Sequence, residues 1–149
     1  MTRSAIPFTI IAGISIIAAG FISAITAFSP SYTASWAVAY LVLVVGVAQL
    51  ALGFGQAWLA EELPSKALLI AEVILFNLAN LATLLGTLLA WMALVYIGAV
   101  LMIISLALFI WGTRIAKPGK IWVVYGFRAI VFILIVSAGI GLLIASFKK

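Results

Sequence analysis

The chain has 149 residues, 68% of them apolar by type and 7% charged, with a net charge of +5. Soluble domains run near 45–50% apolar and about 25% charged, so a mean hydropathy of +1.43 places this one in a lipid environment. The absence of Cys, His and Asp leaves Glu61, Glu62 and Glu72 as the only side-chain carboxylates. That inventory excludes disulfides, a Ser-His-Asp triad and an aspartyl dyad. It also gives no ligand set for zinc or another transition metal, and leaves Met and Tyr as the haem ligand types, which need a shaped pocket. The expectation is therefore a chain with no metal, no cofactor and no catalytic residues, an all-α integral membrane protein of one domain over 1–149.

Crossing about 30 Å of hydrocarbon takes about 20 apolar residues in a helix. The first such run is 8–28, opened by Pro7 and closed by Ser29-Pro30-Ser31. It exceeds the usual hydrophobic length of a signal peptide and is read as a retained helix. The second, 36–59, ends at Glu61-Glu62-Leu63-Pro64-Ser65-Lys66. Between Ala67 and Arg114 the only charge is Glu72, and the stretch is about twice one crossing, so it is split at Ala90-Trp91-Met92 into spans 67–89 and 92–112. The fifth span, 122–147, follows Arg114-Ile115-Ala116-Lys117-Pro118-Gly119-Lys120. The connections look too short to form structure of their own. Pro64-Ser65-Lys66 and Pro118-Gly119-Lys120 echo each other at the start of two spans, a weak sign of an internal repeat.

Basic residues set the expected orientation. With the N-terminus cytoplasmic, Arg3, Lys66, Arg114, Lys117, Lys120 and Arg128 fall on or near the inner side, and Lys148 and Lys149 outside. Trp36 and Trp91 then mark the outer boundary, and Trp58, Trp111 and Trp122 the inner one, as in an aromatic belt. The expected location is a cell membrane, multi-pass, of the bacterial inner-membrane kind. Nucleic acid has no comparable support as a partner.

Helices in lipid associate through close backbone approach and interhelical polar contacts. Gly46, Gln49, Gly53 and Gln56 form a heptad seam on the second span. Gly13 and Gly20, with Ser23 and Ala27, form a small-residue stripe on the first, Gly98, Ser105 and Gly112 one on the fourth, and Ser137, Gly141 and Ala145 one on the fifth. All are expected to be packing positions.

Intramembrane polar residues are the functional candidates, since they are costly and tend to face a partner inside the bundle. Glu72 and Arg128 fall at similar depth, about 9–12 Å from the inner boundary, and a mutual ion pair is the least costly way to hold both. Gln56 and Tyr125 are placed with them. Gln49, Asn77 and Asn80 lie nearer the midplane, with Ser105 facing in. Because Glu72 and Asn77 point in different directions, the third span is expected to be central.

Two functions follow as expectations. One is a non-catalytic accessory, assembly or regulatory component whose partners are the bilayer and another membrane protein or a second copy of itself. The other is a small transporter or lipophilic-ligand binder with its polar site around Glu72 and Arg128. In size and helix count the chain resembles the translocator-protein family, which binds porphyrins and sterols, but it lacks that family's Trp- and Pro-containing signature. Residues 8–28 contain no acid, unlike the first helix of the four-helix small multidrug exporters.

Overall fold

The computed structural model describes residues 3–147, excluding the side chains of 141, 142 and 144–147. A short 3-10 turn, Arg3–Ala5, leads into α1 (Ile6–Thr26). α2 (Tyr32–Tyr40), a π-helical segment (Leu41–Ala48) and α3 (Gln49–Leu59) form one rod, followed by α4 (Lys66–Leu88), α5 (Met92–Gly112) and α6 (Ile121–Phe147). No strand occurs among the described residues, and five helical rods are long and apolar enough to cross a membrane.

The boundaries follow local chemistry. Pro7 sits in the first turn of α1, where its missing N–H costs nothing. The second rod starts four residues earlier than expected because the Ser31 hydroxyl accepts the Ala34 N–H at 3.1 Å, capping the helix. Ser65 caps α4 in the same way, accepting the Leu68 N–H at 3.2 Å. The turn expected at residues 90–92 is present. Ala90 N–H donates to the Thr87 carbonyl (3.3 Å) and Trp91 N–H to that of Gly86 (2.8 Å), the paired bonds of a Schellman ending. Its left-handed position, normally glycine's, is held by Ala90 at φ 53°. The turn therefore carries no glycine to announce it.

The chain divides into two compact units, one up to Phe54 and one from Gly55 onward. In the first, α1 buries Phe8, Ala12, Ser15 and Ala19, a helical stripe, and exposes Ile10, Ile14, Ile17, Phe21 and Ile25 on the opposite side. Exposed side chains of that size in a row suit hydrocarbon and not water. The π segment and the start of α3 meet α1 through two glycines. A Cβ on Gly46 would lie 2.6 Å from Ile16 Cγ1, and one on Gly53 would lie 2.7 Å from Phe8 Cβ. No residue type in Leu41–Ala48 signals the π geometry.

Within the second unit α5 packs against both α4 and α6. α4 in turn meets α5 along its length and the end of α3 through Gln56 and Glu72. Small residues decide the α4–α5 approach. Gly86 lies against Val95, and Gly98 against Thr83 and the Ala79 carbonyl. Phe76 and Phe109 meet edge to face with centroids 6.2 Å apart.

The two loops on the side predicted to be cytoplasmic are not featureless. Glu61 N–H donates to the Ile115 carbonyl and Lys117 N–H to that of Leu59, both at 3.0 Å, an antiparallel bridge centred on Ala60 and Ala116. Lys120 Nζ lies 3.8 Å from the Trp58 ring centroid and the Arg114 guanidinium 4.8 Å from that of Trp111, both within cation–π range. The supposed repeat does not extend to geometry, since Ser65 caps α4 by its side chain while Gly119 turns the chain at φ +77°.

Candidate functional site

The polar site is built where α3, α4 and α5 meet in the second unit. Gln56 near the end of α3 is 1% exposed and Glu72, two turns into α4, is fully buried. The Gln56 Nε2 amide donates to Glu72 Oε1 at 2.6 Å. This hydrogen bond joins the two helices. On α5, Gly112 closes the arrangement: a Cβ there would collide with the Gln56 amide nitrogen and come within 3.1 Å of Glu72 Oε1. About two turns earlier on α5, the fully buried Ser105 hydroxyl reaches the main-chain carbonyl of Glu72 at 3.4 Å. Gly55 meets the ring of Phe127, bringing α6 to the same level.

Arg128 does not pair with Glu72. Its Nη2 donates to the Thr113 carbonyl at 2.8 Å, just beyond the end of α5. The last carbonyls of a helix lack intrahelical partners and carry the negative end of its dipole. The long arginine stem lets the guanidinium reach that end while its carbons stay in the apolar layer. The expected ion pair is thus replaced by Glu72 with Gln56 and Arg128 with a helix terminus. Thr113 is itself fully buried, its hydroxyl donating back to Phe109 and Ile110 carbonyls at 3.1 Å.

Tyr125 is a second correction. It is 55% exposed, and its ring stands edge-on to Trp122 at 6.4 Å, on the outward side of α6 and away from the cluster. Asn77 and Asn80 are on α4 as expected, but each Nδ2 donates to the carbonyl four residues earlier, Val73 and Phe76, at 2.8 Å. Short polar side chains on helices commonly bond back in this way.

Gln49 belongs to the first unit. It is fully buried, and neither its Nε2 nor its Oε1 has a hydrogen-bond partner among the described residues. Glu72 Oε2 and Arg128 Nε are likewise buried without partners.

The packing positions divide cleanly. Gly46, Gly53, Gly98 and Gly112 are met by neighbouring side chains, as expected, and sequence reading missed Gly55 and Gly86. Nothing lies within 4 Å of a Cβ at Gly13 or Gly20, so these two do not serve contacts within the chain. Gly141 lies outside the described residues. The tryptophans all stand at helix ends, and Trp58, Trp91, Trp111 and Trp122 are more than half exposed. Among the described residues no group of carboxylates could hold a metal ion. Compared with protein-family models, with curated proteins and with solved structures, the chain matches none of them.

Proposed function

We propose that the chain is a multi-pass component of a cell membrane, of the bacterial inner-membrane kind, that acts without catalysis by contacting another membrane protein or a second copy of itself. The N-terminus is placed in the cytoplasm and the C-terminus outside, on the distribution of Lys and Arg. One observation carries the reading. Six glycines are filled by neighbours inside the chain, whereas Gly119, Gly126 and Gly139 on or before α6 and Gly13 and Gly20 on α1 have nothing within 4 Å, and the last two lie seven residues apart on one stripe. Ser23 and Ala27 continue that stripe and are exposed. A small-residue face is what a second membrane helix packs against. The Gln56–Glu72 bond and the Arg128–Thr113 bond support the same reading, since they turn costly polar groups toward holding the helices together.

The test uses a photo-crosslinking side chain at Ser23, on the stripe, and at Ile25, off it. In native membranes the Ser23 probe is expected to give one discrete adduct and the Ile25 probe none. Equal labelling at both positions, or none at Ser23, removes the basis of the proposal.

A small transporter or lipophilic-ligand binder is the second reading, favoured by the unpartnered buried atoms of Gln49, Glu72 and Arg128. Under it, the combined Glu72→Gln and Arg128→Gln variant loses its biological activity while remaining folded. Under the first reading activity follows the amount of folded protein.

A further inference from the structure

A cleft of about 390 Å³ opens between the 62–65 loop with the start of α4 and the end of α5. Its size falls in the range of about 300–1,000 Å³ usual for small-molecule sites. Glu62 and Arg114 both line it, and neither forms an ion pair with any described residue. Two opposite charges thus face one cleft without neutralising each other. Arg114 is held in place, with its guanidinium over the Trp111 ring and Nη1 3.5 Å from the Trp111 carbonyl. Leu63, Leu68 and Ile115 supply an apolar lining. The Ser65 hydroxyl is already taken by the Leu68 N–H and adds no free acceptor. Trp111 stands at the end of α5, where an aromatic belt marks the level of lipid headgroups.

We propose that this cleft seats the headgroup of a zwitterionic phospholipid bearing a primary ammonium, its phosphate on Arg114 and its ammonium on Glu62, with the glycerol region along Leu63, Leu68 and Ile115. Guanidinium binds phosphate through charge-assisted hydrogen bonds, and a carboxylate accepts from an ammonium that still carries N–H groups. A quaternary ammonium has no N–H to give. An anionic headgroup without an amine satisfies Arg114 and leaves Glu62 facing a like charge.

The experiment incorporates the full chain into nanodiscs of phosphatidylcholine doped with either phosphatidylethanolamine or phosphatidylglycerol, and counts retained lipids by native mass spectrometry. Phosphatidylethanolamine is expected to be retained about tenfold over the other two, and Glu62→Gln and Arg114→Gln each to remove that preference. Retention of phosphatidylglycerol at or above phosphatidylethanolamine, with Glu62→Gln without effect, identifies a plain anion site and overturns the proposal. Equal retention of all three lipids by the wild type overturns it as well. The wild-type lipid comparison stands whatever the variants do, and helical content measured by circular dichroism identifies any variant that fails to fold.

Discussion

Gln49 presents a fully buried amide with neither of its polar atoms paired among the described residues. Leaving a buried donor or acceptor unmade costs about 1–3 kcal/mol. Gln49→Met keeps the volume and removes that cost, so it is expected to raise the thermal midpoint in detergent by an amount equivalent to about 1–2 kcal/mol. A fall instead means that the amide has a partner when the protein is at work. Gln56 is the opposite case, because its amide is the described partner of Glu72 Oε1. Gln56→Leu leaves a buried carboxylate unsupported, and the same measurement is expected to fall by about 2–4 kcal/mol. Gln56 and Gln49 share a residue type and a heptad stripe in the sequence, and only the structure separates them. Depth could be read from residue spacing, which placed Glu72 and Arg128 close in level. Direction could not, because an arginine stem spans more than a helical turn and Arg128 uses it to reach the Thr113 carbonyl.

At the scale of elements, glycine substitutions separate contacts within the chain from faces left open. Gly112→Ala drives a methyl group into the Gln56 amide, and Gly53→Ala drives one into Phe8. Overpacking of this kind costs about 1–3 kcal/mol. Gly13→Ala and Gly20→Ala meet nothing within 4 Å, so they are expected to be neutral or to stabilise by about 0.5–1 kcal/mol through helix propensity. Chemical or thermal denaturation of the four variants in one detergent checks the contrast, which disappears if the open stripe is an internal contact. The α4–α5 turn supplies another check. Ala90 occupies a left-handed position, which costs an L-residue with a side chain about 1–2 kcal/mol, so Ala90→Gly is expected to stabilise the protein by up to about 1 kcal/mol. The position of that turn was legible because the largely apolar stretch of 47 residues before Arg114 exceeds one crossing, even with no glycine to mark it. The π segment was not legible, since Leu41–Ala48 is as apolar and regular as its neighbours in sequence. The α1 stripe was visible as a pattern, but a small-residue pattern does not say whether its partner lies in the same chain.

For the whole molecule, composition and run length were enough to find five helices long and apolar enough to span a membrane, because hydrocarbon thickness sets the required segment length directly. The bridged loops of the second unit were beyond that reasoning: the pairing of Ala60 with Ala116 joins residues 56 apart in sequence through backbone atoms alone. Orientation is a separate matter, open to cysteine labelling in a chain that has no cysteine of its own. A membrane-impermeant maleimide applied to intact cells is expected to label Ser31→Cys and to spare Lys117→Cys, and the reverse pattern places the N-terminus outside. The central claim is that this chain works through contact along α1. Light scattering on protein extracted from native membranes in mild detergent tests it most directly. The account predicts a protein mass above the 15.8 kDa of one chain, reduced to that of one chain by Gly20→Leu without loss of helical content. A wild type that runs as a single chain, alone and fully active, contradicts it.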